Sequence, residues 1–309
     1  MSGNITVTII SVAAYFILAP FIGGLLAGID RKLSARFQGR CGPPVLQPFY
    51  DVFKLLEKEP VTVNGAQDFY VACCLVFMII TGAFFFAGLS LLLVIFTLTT
   101  AGLFLVAAAY SSNSPYAQVG AERELLQMMA YEPMVLLTAV SLYLVTPIYD
   151  DYGSVLHSFN VIDIISHTHV GVQYLPGVFI GLLFVLTIKF RKSPFDLSMS
   201  HHAHQELVKG LTTELSGKTL AVLEVSHWYE NVFLLGFVFL FFANGTALMI
   251  VVGVIVCLVA YFFETFIDNV NARMKWQFAF NASWIVSLVC GVVNLLIIYI
   301  AVIYFGWGV

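Results

Sequence analysis

The chain has 309 residues, of which 60% are hydrophobic and only 10% charged, with a net charge of −4. Soluble domains carry about 25% charged residues, so a water-soluble fold of this size could not hide so much apolar surface, whereas a bilayer is itself the apolar phase. The five cysteines, Cys41, Cys73, Cys74, Cys257 and Cys290, contain no C-x-x-C pair and four lie in apolar segments. That pattern argues against a metal cluster held by this chain alone and against a disulfide framework.

A spanning helix needs roughly 20 apolar residues, because lipid offers no water to unpaired backbone groups. The first candidate runs from about Ile5 to Leu26; no basic region precedes it and no small-residue cleavage site follows, so it reads as a membrane helix rather than a signal peptide. A polar stretch extends from Asp30 to Asp68. The segment from Phe69 to Tyr110 carries no charge and is too long for one crossing, which predicts two helices with a hairpin tip near Gly88–Ser90. A fourth span is expected from about Gly120 to Val145 and a fifth from about Tyr174 to Phe190. After a second polar loop, three more follow at about Leu220–Phe242, Thr246–Phe266 and Phe278–Phe305. The fold class is therefore an all-α integral membrane protein of about eight transmembrane helices. It is one membrane domain over residues 1–309, with cytoplasmic loops at about 28–68 and 191–219 and no internal repeat.

Charge placement orients this layout. With both termini outside, Arg31–Lys58, Arg123, Lys189–Lys218 and Arg273–Lys275 share one side, and these segments hold all 14 Lys and Arg residues. The loop Thr146–Gln173 falls on the other side and carries Asp150, Asp151 and Asp163 with no Lys or Arg. Cytoplasmic loops are enriched in Lys and Arg, which supports the count, the orientation and a multi-pass location in the cell membrane.

The first cytoplasmic loop begins Asp30-Arg31-Lys32-Leu33-Ser34-Ala35-Arg36-Phe37-Gln38-Gly39-Arg40 and passes a Gly42-Pro43-Pro44 turn. It continues through Leu46-Gln47-Pro48 and Asp51 to Lys58-Glu59, with Leu46, Phe49, Phe53 and Leu56 on one helical face. By physics alone this could be a basic interfacial helix resting on anionic lipid. The second loop carries Pro194-Phe195-Asp196-Leu197, then His201-His202-Ala203-His204-Gln205-Glu206-Leu207-Val208-Lys209-Gly210, then Thr213-Glu214-Leu215-Ser216-Gly217. His201 and His204, spaced i, i+3, invite a metal reading, but no committed fourth ligand is evident; proton relay, partner contact or a solvated loop are the other readings.

Acids also lie within the apolar segments. Glu124, Met128 and Glu132 form an i, i+4, i+8 stripe beside Glu122 and Arg123, and Pro133 follows. An ionised acid at mid-bilayer costs ~2.5–3.5 kcal/mol on the insertion scale, so holding a proton is the cheaper state and a relay role follows naturally. Glu224, His227, Glu230 and Asn231 fall within about a third of a helix circumference. Buried structural pairing is the alternative for these groups. Glu264, Asp268 and Arg273, near the end of the seventh span, read as an interfacial salt-bridge cluster.

Together the two loops resemble the quinone-chamber membrane subunit of respiratory complex I and its relatives in membrane-bound hydrogenases. The resemblance runs from Asp30 to about Arg273. Only Pro44-Val45 separates Gly42-Pro43 from Leu46-Gln47-Pro48, where the complex I branch carries a longer Gly-rich stretch. That shortening, His-His-Ala-His-Gln-Glu, Tyr131-Glu132-Pro133 and Leu223-Glu224-Val225-Ser226-His227-Trp228-Tyr229-Glu230 are similar to the membrane subunit of energy-converting (Ech-type) nickel–iron hydrogenases.

The resemblance implies a coupling and anchoring subunit of a ferredoxin-dependent, ion-translocating oxidoreductase. Glu132, Asp196, Glu206 and Glu214 would carry the polar path, with Glu122, Glu224, His227 and Glu230 added by placement. Arg31, Arg36, Arg40, Gln47, Asp51, His201, His202 and His204 would face docked partners. The implied partners are the hydrogenase large and small subunits, an iron–sulfur electron-transfer subunit, an antiporter-like membrane subunit, membrane lipid and, through the complex, ferredoxin, with no nucleic acid. This chain would hold no cofactor; the nickel–iron centre and iron–sulfur clusters would lie in those partners. Two other readings stay open: a quinone-site subunit of complex I type, and an independent secondary transporter, which the absence of a repeat disfavours.

Overall fold

A computed structural model describes residues 2–59, 64–149, 155–166, 170–192, 195, 198, 207 and 209–305. The chain folds into α1 (Ser2–Phe37), α2 (Gln47–Glu57), α3 (Gly65–Phe86), α4 (Leu91–Tyr110), α5 (Pro115–Val145), β1 (Pro147–Tyr149), β2 (Val155–His157), α6 (Val161–Ser166), α7 (Gly171–Tyr174), α8 (Pro176–Lys189), α9 (Gly217–Leu240), α10 (Ala247–Val270), α11 (Trp276–Val286) and α12 (Val293–Phe305). A π-helical turn, Ser287–Val292, joins the last two. The framework is helical; β1 and β2 form only a short antiparallel hairpin, pairing Pro147 with His157 and Tyr149 with Val155.

A helix stands at each predicted position. Six, including the merged α11–α12 unit, are long and apolar enough to cross a membrane by length and composition, as befits a multi-pass membrane protein. The other two are α8, with 14 residues, and α9, which carries Lys218, Glu224 and Glu230. The predicted hairpin tip is present: α3 ends at Phe86, Gly88 adopts a φ of 81°, and α4 starts at Leu91.

The first boundary differs from the sequence reading. Helix α1 does not stop at Leu26 but continues to Phe37, a rod of about 54 Å against a hydrocarbon core of about 30 Å. No proline occurs between Leu26 and Gly39, so the charged Asp30–Arg36 segment stays helical and projects beyond the apolar zone. Gly39 (φ 73°) and Gly42 (φ 71°) then turn the chain back, and the carbonyl of Val45 lies against Gly28 so closely that a Cβ there would sit 1.8 Å from it.

Helices α3, α4, α5, α8 and α9 supply most of one apolar core, including Val71, Phe85, Leu98, Met134, Leu186, Phe233 and Val238. Their small residues let backbones approach, the usual packing device in lipid. Helix α1 lies on α9 through Gly23, whose missing Cβ would meet the Trp228 carbonyl at 2.3 Å. Large apolar side chains of α1, α10 and α11, such as Phe16, Ile17, Leu248, Val251 and Ile285, remain exposed on the outside.

Helix α2 packs on α9 through Pro48, Val52 and Leu55, with Phe49 5.1 Å from Trp228. Of its predicted apolar stripe, Leu46, Phe53 and Leu56 stay exposed, the disposition of an amphipathic helix at a membrane boundary. The Gly210–Thr212 turn of the second loop rests on α5: Leu211 N donates to Ser198 O at 3.2 Å, and a Cβ on Gly120 would lie 2.5 Å from Leu211 N. Phe195 forms a parallel bridge with Met274, tying the start of that loop to the α10–α11 connection.

Candidate charge-coupling site

The end of α8 organises the buried charges. An apolar helix runs into Lys189-Phe190-Arg191-Lys192, and Arg191 adopts a positive φ of 55°, which turns consecutive cations in different directions. Lys189 Nζ lies 3.3 Å from Glu230 Oε1 of α9. Arg191 Nη1 lies 3.6 Å from Glu124 Oε2 of α5. Lys192 Nζ donates to Asp30 Oδ1 of α1 at 2.6 Å. One short segment thus ties three helices by their acids, at the entry to the second loop.

The first two pairs share a cavity of about 10 Å³, room for roughly one water, lined by Glu124, Gln127, Tyr131, Ile188, Lys189, Arg191 and Glu230. His227 Nδ1 lies 3.4 Å from Glu230 Oε2, and the Lys189 ammonium stands 4.7 Å over the Tyr131 ring. The Ser198 hydroxyl donates to Glu124 Oε2, so the second loop touches this network directly. Gln127 Nε2 and His227 Nε2 are buried with no hydrogen-bond partner among the described residues. Such groups are unusual and suit a site that takes up water or rearranges.

Some predicted relay residues gather here and others do not. His227 and Glu230 meet at Lys189, but Glu224 of the same stripe faces a different cavity. Glu132 is half-buried on α5, within the electrostatic reach of Lys189. Glu122 is exposed on the outside of α5, and Glu214 follows the Gly210–Thr212 turn with its Oε2 buried and unpartnered among the described residues. Asp196, Glu206, His201, His202 and His204 lie outside the described residues.

The second cavity, about 160 Å³, lies between α1, α2, α9 and the Lys209–Thr212 turn; Arg31, Asp51, Leu55, Glu224 and Trp228 contribute to its wall. Three predicted docking residues bond one another here: Arg31 Nη1 donates to Asp51 Oδ2 at 2.6 Å, and Gln47 Nε2 to Asp51 Oδ1 at 2.8 Å. Partial burial pushes the Asp51 carboxyl up, but the hydrogen bonds from Arg31 and Gln47 and the charges of Arg31 and Lys54 outweigh it and hold it below the usual carboxylate range. Arg36 and Arg40 are exposed, with Arg40 donating to Gln38.

Lys189, Arg191, Lys192 and Tyr131 were not singled out as site residues by sequence. The three cations read there as markers of the cytoplasmic side. The available signal was three cations within four residues directly after an apolar helix.

A family model for NADH dehydrogenase matches residues 9–299. Hydrogenase-4 component C of Escherichia coli (strain K12) is 27% identical over 287 residues, spanning 84% of this chain and 87% of that protein. An NADH-quinone oxidoreductase subunit of Geobacillus sp. (strain WCH70) is 32% identical over 240 residues, 69% of this chain and 66% of that one. A solved chain of the membrane-bound sulfane sulfur reductase, an archaeal respiratory membrane complex, superposes with a TM-score of 0.72 at 23% identity, covering 93% of this chain and 99% of that chain, which shows a shared fold.

Proposed function

This chain belongs to the NADH dehydrogenase family, and we propose that within it the protein is the core membrane subunit of an energy-converting nickel–iron hydrogenase, seated in the cell membrane. It anchors a hydrophilic redox arm, made of hydrogenase large and small subunits and an iron–sulfur subunit that receives electrons from ferredoxin, against its two cytoplasmic loops. It passes the redox event to an antiporter-like neighbour as proton or sodium movement. The nickel–iron centre and iron–sulfur clusters belong to those partners, and this chain contributes charged side chains and their protons.

The observation that carries this reading is the triple anchoring of Lys189, Arg191 and Lys192 to Glu230, Glu124 and Asp30. These cations stand at the start of the loop against which a partner would dock, and Ser198 of that loop bonds Glu124. A displacement of the loop therefore changes the field at buried acids on α5 and α9. In a low-dielectric interior a shift of even one such pair redistributes protons among its neighbours, including Glu132. The His-rich loop and short first loop favour the hydrogenase branch, as does a match that extends along most of a hydrogenase relative.

One observation favours a quinone-site subunit instead: the cavity walled by Asp51, Glu224 and Trp228. At about 160 Å³ among the described residues, it falls below the ~300–1,000 Å³ of most small-molecule sites. Affinity purification of the tagged chain from native membranes separates the two. Co-purified nickel and iron–sulfur proteins with ferredoxin-dependent H2 evolution support the hydrogenase reading. Quinone reduction blocked by quinone-site inhibitors, with no nickel present, overturns it.

A further inference from the structure

Glu264 is not part of the interfacial salt-bridge cluster that its sequence neighbours imply. On α10 it is fully buried, at 0% exposure, and neither Oε1 nor Oε2 has a hydrogen-bond partner among the described residues. The polar groups that act on it are the Thr187 hydroxyl of α8 and the Lys192 ammonium. Thr187 Oγ1 also lies 3.3 Å from the Leu183 carbonyl, so its one proton is divided between that carbonyl and Glu264. Lys192 is engaged by Asp30 at 2.6 Å and stands 5.5 Å over the Tyr261 ring. A carboxylate buried with one shared hydroxyl and a cation already engaged elsewhere carries much of its desolvation penalty, whereas a neutral carboxyl there carries little.

The surroundings form a joint between α1 and α10. Asp30, Ser34 and Gln38, at i, i+4 and i+8, meet Thr265 and Asn269. Thr265 Oγ1 lies 2.7 Å from Asp30 Oδ1, Asn269 Nδ2 donates to Ser34 Oγ at 3.0 Å, and Gln38 Nε2 donates to Asn269 Oδ1 at 3.1 Å. Among the described residues, the charged group that acts on Glu264 is Lys192 from the segment after α8, itself paired with Asp30 of α1, and Tyr261 and Asp268 stand one turn to either side on α10. Lys192 is 5% exposed and Asp30 25% exposed, so of the two acids Asp30 is the one in contact with solvent.

We propose that Asp30, Lys192 and Glu264 form a proton-exchange triad holding one proton between two carboxyls. In the state seen here Glu264 keeps the proton and Lys192 pairs with Asp30. In the alternate state the ammonium turns to Glu264, the O–H bond on Glu264 breaks, and an O–H bond forms on Asp30, at the solvent side. The trio is neutral in both states, one cation balancing one carboxylate, so no net charge enters the apolar interior and no co-reactant is needed. Because Lys192 opens the second loop and Asp30 heads the α1–α10 ladder, the exchange couples proton position to the seating of that loop. This coupling role rests on the reading of the chain as a coupling subunit; the proton on Glu264 does not.

The test is infrared spectroscopy of the intact purified complex at rest, with no electron donor, in H2O and D2O, with 13C-carboxyl-labelled glutamate or aspartate. The expected result is a carboxylic-acid C=O band that shifts with deuteration and with glutamate label and disappears in Glu264→Gln. In Lys192→Met, which removes the cation, a second such band appears in the aspartate-labelled sample. Glu264→Asp, which keeps the acid, moves the first band into the aspartate set. A spectrum unchanged by Glu264→Gln overturns the triad. So does wild-type complex without a glutamate C=O band, or a band that titrates away with added Na⁺, which would make the site a cation ligand. Loss of the hydrogenase reading itself appears elsewhere, as absence of ferredoxin-linked H2 evolution, and leaves these resting spectra unaffected.

Discussion

Replacing Lys189 by Met keeps the length and apolar stem of the side chain and removes only its charge. The Lys189–Glu230 pair spans 3.3 Å with the two side chains 10% and 9% exposed, so deleting the ammonium strands a buried carboxylate. Breaking a buried pair from one side costs about 3–5 kcal/mol. Loss of the ammonium over Tyr131, 4.7 Å from the ring centre, adds ~0.5–2 kcal/mol. The control is Arg31→Met, which breaks a shorter pair at 2.6 Å whose side chains are 45% and 38% exposed. Exposed pairs contribute only ~0–1 kcal/mol, so the longer bond is the more valuable one because of burial. Adding Glu230→Gln to Lys189→Met removes the stranded charge and recovers stability, a coupling energy of ~0.5–3 kcal/mol in a double-mutant cycle. Reversible unfolding in mixed micelles measures wild type, Lys189→Met, Glu230→Gln, their double variant and Arg31→Met. Equal costs for Lys189→Met and Arg31→Met, or a double variant no more stable than Lys189→Met alone, would refute the argument that burial sets the strength of this network.

Other outcomes follow from the same geometry. Glu132→Gln leaves dye-linked hydrogenase activity largely intact and abolishes coupled ion uptake into proteoliposomes; unchanged pumping sinks its relay role. Gly120→Ala puts a Cβ 2.5 Å from Leu211 N and displaces the Gly210–Thr212 turn, an overpacking cost of ~1–3 kcal/mol, read as faster amide exchange at 210–215. Asp51 is held below its usual range, so its contribution to seating α2 is fully present above the unfolded value of about 3.9 and is lost as pH falls through the folded value; Asp51→Asn removes that acid-side loosening, followed by amide exchange in α2. Cys41 is exposed and Cys74 buried, so a membrane-impermeant maleimide labels Cys41 in inside-out vesicles only and leaves Cys74 unmodified; labelling of Cys41 in right-side-out cells contradicts the proposed orientation.

Much of the architecture is legible in residue order because lipid imposes a one-dimensional rule. Backbone groups must pair within each helix and charges must cluster between helices, so apolar run length locates the helices, the Gly88–Ser90 tip and the two polar loops. The amphipathic period of α2 and the motif patterning of the two loops are likewise local properties. Helix continuation is less visible, and α1 runs past Leu26 because charged residues favour a helix as well as apolar ones do when no proline intervenes.

What residue order leaves open is which charge meets which. Lys189 and Glu230 are 41 positions apart and Lys192 and Asp30 are 162 apart; periodicity says which face a side chain occupies, not which helix faces it. The Glu224–Glu230 stripe, one patch by helical spacing, is divided between two cavities because α1, α2 and the Lys209–Thr212 turn wall the one at Glu224 while α5 and the end of α8 wall the one at Glu230. Glu264, a salt-bridge candidate by its neighbours in the chain, is enclosed between helices, its carboxyl forming no ion pair among the described residues. Composition placed these acids in an apolar phase; packing alone decided which received a cation and which was left to hold its own proton.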